Sequence, residues 1–526
     1  MPVGISNVAT RPLAWSERLA SRPVGAIALF GAALAFFAVR AIAWPLRPGR
    51  DLDEYLLVYV QLFDRHVLLP WSLLFRTPIT PLFAGISLDA LDGRLAEPLM
   101  ALLYAGSIVC WAATARFFGA LVAIAVSLAL LAYQGYALMF HELSSEPTLA
   151  AAFSLWALLV VRAAAQPSTG RFAAVGAGIA LLALVRPGNA VLLAFAAFPL
   201  VVAGTWRDRV RWVAAVALAA TLPLAAWSVH NGLRFDTWSL ARGGNAIIPF
   251  YRAFITDHII SRENGEGSRR LAAAMQRDLL TREPYRSYGV TLDELFAKGS
   301  FRVHEDLYIL SDQDFGWDDD YAVLRRAGVE GVRAHPGTYT SGVLGTVWDQ
   351  LSKAYFRGVP TSGGATADPS APETIRVAGR SLPRPTEGEP IPAGQVVWIS
   401  RPDQRIRQVW TSPTEWHFEF DRASDRPRFE RIQRETSELF DALPDRAENA
   451  TLALRLNQLS RWYPRPWMWI LLGLVTLVVR RPRGSAALIA LALSAFTVVL
   501  LNALGLFADL HFILPVAPAF VLFGLA

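Results

Sequence analysis

The chain has 526 residues, 53% of them hydrophobic and only 18% charged, against roughly 25% charged in an ordinary soluble domain. That balance excludes a soluble globular protein and implies one that crosses a membrane many times. The net charge of +6 does not point to nucleic acid, because the arginines stand in the short connections between apolar stretches, where the positive-inside rule puts them.

Residues 1–23 carry Arg11, Arg18 and Arg22 ahead of an apolar run without an A-x-A cleavage site, which reads as a retained anchor. Apolar stretches at 24–46, 95–114, 119–140, 147–165, 212–229, 466–479, 485–504 and 511–526 are long enough to be read as crossings. The stretch 172–205 is too long for one helix and is interrupted by Arg186, Pro187 and Gly188, so two short helices meeting at RPGN are expected. About ten crossings with the N-terminus inside place Arg116, the Arg162/Arg171 loop, Arg207–Arg211 and Arg480–Arg483 on the cytoplasmic side. The same parity puts RDLDEY, HELSSEP, RPGN, residues 230–465 and FADLHF on the outer side. The single cysteine, Cys110, lies in an apolar stretch and excludes an internal disulfide and a thiolate metal cluster.

Three units are expected: an N-terminal transmembrane domain (1–229), an extracytoplasmic segment (230–465) and C-terminal transmembrane helices (466–526). The outer segment reads as helical over 250–358, a Pro/Gly-rich linker over about 359–392 and a small mixed unit over about 393–465. Residues 55–92, broken by Pro70, Pro78 and Pro81, read as amphipathic helices lying in the membrane interface. The fold class is therefore an all-α polytopic membrane protein with a large outer segment, and no internal repeat is visible.

Two acidic clusters share the outer face. Asp51, Asp53 and Glu54 follow the first apolar stretch, within four positions, so only one or two of them can enter a common cavity. A carboxylate near lipid is suited to accept a proton from a hydroxyl; the same residues would also serve as a solvated helix N-terminus. His141, Glu142 and Glu146 stand in HELSSEP, where Pro147 marks the expected helix start and Ser144 or Ser145 the cap. Arg186 sits where two half-length helices meet, placed to bind a phosphate or to reach lipid headgroups. His511 opens the last apolar stretch. No H-x-x-H, H-E-x-x-H, G-x-x-x-x-G-K-[ST] or G-x-G-x-x-G spacing occurs, so zinc hydrolysis and nucleotide hydrolysis are not read from this chain.

In order along the sequence, DLDEY after the first helix, FRTPITPLFAGI, HELSSEPTLAAAF, LALVRPGNAVLL, HNGLRFDTWSLARGGN, RRAGVEGVRAHPGTY and HFILPVAP resemble motifs of the GT-C superfamily of membrane glycosyltransferases. The branch resembled is that of the protein O-mannosyltransferases and lipid A aminoarabinose transferases. The resemblance covers about residues 24–355 and 466–526. It implies an inverting transfer of one sugar from a polyprenyl-phosphate donor to an acceptor hydroxyl of a glycan, lipid or protein, metal-independent or assisted by a divalent cation such as Mg or Mn. An Asp of the first outer loop becomes the general base: Asp51 if Tyr55 is the family tyrosine, Asp53 with Glu54 if the adjacent acidic pair is what counts. Arg186, His511 and Arg76 become the donor-phosphate ligands, with His141, Glu142 and Glu146 lining the substrate. His230 and His511 stand where the family has arginine. The implied setting is the plasma membrane, with the active site facing the periplasm or exterior. The alternative from a different class is a transporter or lipid flippase that uses the same carboxylates as ion or proton ligands.

Overall fold

The computed structural model describes residues 23–64, 67–283, 285–299, 301–355, 374–377, 380–383, 386–387, 396–398, 406–410, 415–480, 484–505 and 510–526. In chain order, helix α1 (Pro23–Ala43) leads through strand β1 (Arg47–Pro48) into three short helices, α2 (Leu52–Gln61), α3 (Pro70–Phe75) and α4 (Ile79–Asp89). The bundle continues with α5 (Ala96–Arg116), α6 (Ala120–Ala132), α7 (Gln134–Met139), strand β2 (Glu142–Leu143), α8 (Ser145–Ala165) and α9 (Thr169–Val185). A 3₁₀ helix over Pro187–Val201 and the long α10 (Trp206–Phe235) complete the N-terminal half.

Five helices among the described residues are long and apolar enough to cross a membrane: α1, α5, α8, α10 and, near the C-terminus, α21 (Ser485–Gly505). The protein is a multi-pass membrane protein. Other expected crossings fall on shorter helices. The stretch 119–140 is divided between α6 and α7 at Tyr133, where the buried Arg40 of α1 donates to Leu131 O (2.6 Å) and to Gln134 Oε1 (2.8 Å). Residues 511–526 form a 3₁₀ turn (Leu510–Phe512) and then a nine-residue helix, with Pro515 and Pro518 around its start. The stretch 172–205 is the expected pair of helices meeting at Arg186. Arg186 itself is extended (φ −147°, ψ 117°), as the residue before a proline prefers, and Asn189 Nδ2 closes the end of α9 by donating to Leu182 O at 3.1 Å.

The helix pairing separates two ends of the bundle. The C-terminal ends of α1, α9, α10 and α21 and the N-terminal ends of α5 and α8 lie at one end, joined by the acidic loops. Arg116, Arg162, Arg171, Arg207, Arg209 and Arg211 lie at the opposite helix termini. The core between is apolar and rich in large rings, with Trp111, Trp156, Phe153 and Phe172 fully buried.

The segment after α10 is helical through α11 (Gly244–Tyr251), α12 (Glu266–Ala274), α13 (Tyr285–Tyr288), α14 (Leu292–Lys298), α15 (Phe301–Asp314), α16 (Ala322–Ala334) and α17 (Pro336–Ser352). It has its own core around Phe250, Phe254, Leu271, Met275, Leu295 and Leu324. Arg252 and Tyr339 tie it to the bundle, donating to Ala503 O at 2.8 Å and Leu504 O at 2.7 Å, and Arg252 also donates to Thr346 Oγ1 of α17 at 2.9 Å.

The chain is not purely helical. Strands β3 (Thr374–Val377) and β4 (Arg380–Pro383) form a hairpin, and β5 (Thr386–Glu387), β6 (Val396–Trp398), β7 (Ile406–Trp410) and β8 (Glu415–Phe420) form a sheet in the order β5-β8-β7-β6. Pairing thus begins at Thr374, inside the stretch expected to be a linker, because the β-branched run Thr-Ile-Arg-Val suits a pleated ribbon. Three further helices, α18 (Asp425–Asp441), α19 (Ala450–Trp462) and α20 (Pro466–Arg480), lead to α21, and α22 (Ala517–Leu525) closes the chain.

Candidate active face

The loop that follows α1 and the HELSSEP loop are one structure. β1 pairs with β2 in parallel, Arg47 opposite Glu142 and Pro48 opposite Leu143. Arg47 N donates to His141 O (3.1 Å) and Gly49 N to Leu143 O (3.2 Å). A Cβ on Gly49 would stand 2.6 Å from Ser144 Cβ, so only glycine lets these two loops approach this closely.

Immediately after this contact, Asp51 takes the N-cap position of α2 with φ 58° and ψ 22°, in the left-handed region, and its side chain makes no cap hydrogen bond. Aspartate tolerates this conformation better than most residues, yet it remains uncommon, and backbone strain of this kind gathers at functional sites. The conformation turns Asp51 toward Arg76, whose Nη2 is 3.0 Å from Asp51 Oδ2. Arg76 Nε also donates to Glu54 Oε2 at 3.0 Å, and its guanidinium lies 5.2 Å from the Tyr55 ring centroid. Asp51, Glu54 and Arg76 are all partly exposed, with 32%, 43% and 26% of their side chains accessible. Asp53 points away from this group and is exposed.

A second ion pair stands beside the first. Arg186 Nη2 donates to Glu146 Oε1 at 2.8 Å, and Glu146 is buried. The helix α8 starts at Ser145, two residues before the expected start, with Glu146 and Pro147 in its first turn. Proline is tolerated there because first-turn amides have no helical acceptor to lose. Thr80 of α4 donates to Val185 O at 3.0 Å, which fixes the Arg186 turn against the helices that follow Arg76. Tyr55 stands between the pairs. Burial pushes its phenol above the ordinary value, and the charges that act on it are those of Arg76, Asp51, Arg186 and Glu146.

Phe512 forms a common floor: the guanidiniums of Arg50 and Arg186 each lie 5.1 Å from its ring centroid, within the range of cation–π attraction. Next to it, His511 Nδ1 is 3.6 Å from Glu142 Oε2 and His511 Nε2 is 3.1 Å from Tyr355 Oη.

Of the residues singled out in the sequence, Asp51, Glu54, Arg76, Glu142, Glu146, Arg186 and His511 therefore meet on one face. The His141 ring is fully buried and stacks on Phe37 of α1, centroids 4.2 Å apart, and its carbonyl accepts from Arg47 N. Tyr55 and Phe512, which stand in the DLDEY and HFILPVAP stretches, belong to the face, as do Arg50 and Tyr355; Arg50 reads in sequence as one more interfacial arginine. Among the described residues no three His, Cys, Asp or Glu side chains gather as metal ligands, and between Asp51 and Glu54 the counter-charge is Arg76.

No protein-family model matches the chain, and no curated protein matches it. Among solved structures, ArnT from Cupriavidus metallidurans bound to undecaprenyl phosphate is 16% identical, with a TM-score of 0.32 over 63% of this chain and 67% of that one. Its apo form is also 16% identical, with a TM-score of 0.30 over 62% and 64%. Likeness at that level carries no weight for the chemistry, which is read from the site's own geometry.

Proposed function

We propose that this protein is a membrane glycosyltransferase of the GT-C type that moves one sugar from a polyprenyl-phosphate donor to an acceptor hydroxyl, with inversion, at the outer face of the plasma membrane. One observation carries the reading. Asp51, in a strained backbone conformation and held by Arg76, stands on the same face as two guanidiniums, Arg50 and Arg186, that converge on Phe512. A carboxylate held in place beside cations is what a base and an anionic leaving group require.

Asp51 accepts the proton of the acceptor hydroxyl as that oxygen attacks the anomeric carbon; such general-base assistance contributes about 10²–10⁴-fold. Arg186 and Arg50 take up the charge that grows on the departing lipid phosphate. Arg76 orients Asp51 and Glu54, and Glu146 holds Arg186. His511, between Glu142 and Tyr355, closes the far side of the donor site. The arginine-rich opposite end of the bundle supports an outward-facing site, since Lys and Arg mark cytoplasmic loops; about ten crossings, counting the shorter helices, satisfy this orientation. Residues 230–465 then lie outside and cover the face where the acceptor, a cell-envelope glycan, lipid or protein, arrives.

The test is mass spectrometry of lipid extracts and envelope glycans from cells with and without the gene. Accumulation of a polyprenyl-phosphate sugar with loss of one glycan residue is expected. Unchanged glycans with a redistributed lipid or small molecule would replace this reading with a transporter.

A further inference from the structure

Two successive helices of the segment after α10 present different surfaces. On α16 the exposed positions include Arg325, Arg326 and Arg333. On α17 no charged side chain occurs from Pro336 to Trp348, and Leu344 and Trp348, one turn apart on the same side, are 63% and 57% exposed. The opposite side of α17, made by Val343, Val347 and Leu351, is buried in the same apolar core as the membrane-length helices. One face of α17 therefore belongs to the bundle and the other is bare.

Its contacts fix how it lies. Tyr339 donates to Leu504 O at 2.7 Å, at the C-terminal end of α21. Farther along by roughly 14 Å, at 1.5 Å of rise per residue, Trp348 meets Trp467 at the start of α20, ring centroids 6.3 Å apart. Residues 481–484 join α20 to α21, and both helices pack on α22, so the start of α20 and the end of α21 stand at the same end of the bundle, that of the acidic loops. Thus α17 runs across the ends of two membrane helices and not alongside them. Its bare face is continuous with another: beyond Trp467, α20 exposes Met468, Leu471 and Leu472, the surface of an apolar helix in a multi-pass membrane protein. Tryptophans such as Trp348 and Trp467 concentrate at the boundary between membrane and water.

We propose that α17 is an interfacial helix whose exposed face is covered by membrane lipid. It lies along the bilayer surface at the acidic-loop end, with Leu344 and Trp348 immersed at the boundary of headgroups and acyl chains. Beyond its last residue, Ser352, Tyr355 reaches His511 Nε2 with its hydroxyl at 3.1 Å, so the candidate active face is tied to the level of the lipid headgroups. The proposal does not depend on the glycosyl-transfer reading.

Power-saturation EPR of the full-length protein in phosphatidylcholine nanodiscs tests it, with a nitroxide at Leu344→Cys, or for comparison at Arg325→Cys on α16, in a Cys110→Ser background that removes the only native thiol. The label at position 344 is expected to collide several-fold more often with oxygen than with a water-soluble nickel chelate, and the label at position 325 to show the reverse order. Gly345→Cys, at an exposed position where an added Cβ meets nothing within 4 Å, repeats the measurement if Leu344→Cys does not fold. A label on α17 that meets the nickel chelate as often as the label on α16 overturns the proposal. So does a label shielded from both reagents, which would put a second copy or another protein on this face in place of lipid.

Discussion

Arg242 and Arg76 each face two carboxylates, and they are built for opposite ends. Arg242, in the turn between α10 and α11, is 1% exposed. It donates to Asp312 twice (3.0 and 2.6 Å), to Trp317 O (2.7 Å) and to Tyr321 Oη, and its guanidinium lies 3.5 Å from the Trp317 ring centroid and 4.3 Å from that of Tyr321. Asp320 lies 3.8 Å away. Asp320 is partly exposed, but Asp312, Trp317 and Tyr321, to which Arg242 donates, are largely buried, so the cluster holds the fold together. Arg76 meets Asp51 and Glu54 with roughly a quarter of its own side chain and a third or more of theirs open. The same residue types thus form a closed clamp in one place and an accessible charged surface in the other. Accessibility, not composition, separates them.

The contrast breaks most sharply at Asp51. Asp51→Asn is expected to lower the transfer rate by about 10²–10⁴-fold with an unchanged thermal midpoint, while Asp53→Asn, on the exposed side of α2, stays within about twofold of wild type. Equal losses in the two variants, measured as product formed in proteoliposomes, would remove Asp51 from its role. Arg242→Met should do the reverse. It strands Asp312 in a largely buried setting at a cost of about 3–5 kcal/mol, seen as a lower unfolding midpoint and lower yield, and any active protein that survives should keep a normal KM.

Arg186→Gln removes one charge-assisted contact of about 1.5–3 kcal/mol and should cut the rate by about 10–100-fold, with most of the effect in donor KM. The smallest effect belongs to a second carboxylate pair, in the helical segment after α10. Burial, together with the charge of Asp278 beside it, raises Asp314 to about 6 from its ordinary 3.8. Between those values the folded protein holds a proton that the unfolded chain has released, so the stability from this group is full below about pH 4 and lost as pH rises to about 6. Asp314→Asn should flatten that slope and shift the midpoint at pH 7 by less than about 4 °C, checked by thermal scans from pH 4 to 8.

Much of the face is legible in the amino-acid sequence. Apolar stretches and arginine loops put Asp51, Glu146, Arg186 and His511 at one end of a bundle because helices of membrane length carry residues a known number of crossings apart to the same side. The spacing of Asp51, Asp53 and Glu54 keeps all three from pointing the same way; Asp51 and Glu54 meet Arg76, and Asp53 is exposed. Pairing is not legible. Nothing local to Arg76 says that it meets Asp51 and Glu54, and nothing in His141 says that its ring turns back onto Phe37 while its neighbour Glu142 turns to His511.

What the sequence by itself determined is therefore one-dimensional: a multi-pass helical chain, the grouping of its unusual charges at one end of the bundle, and the break at Arg186, all consequences of hydropathy, charge placement and proline. The tertiary structure decided which charges neutralise one another. It made Phe512 the floor beneath Arg50 and Arg186, made glycine necessary at position 49, and set Arg242 apart from Arg76. Those outcomes depend on separations of a few ångströms between residues tens or hundreds of positions apart, and ion pairing and burial are properties of such distances, not of local sequence.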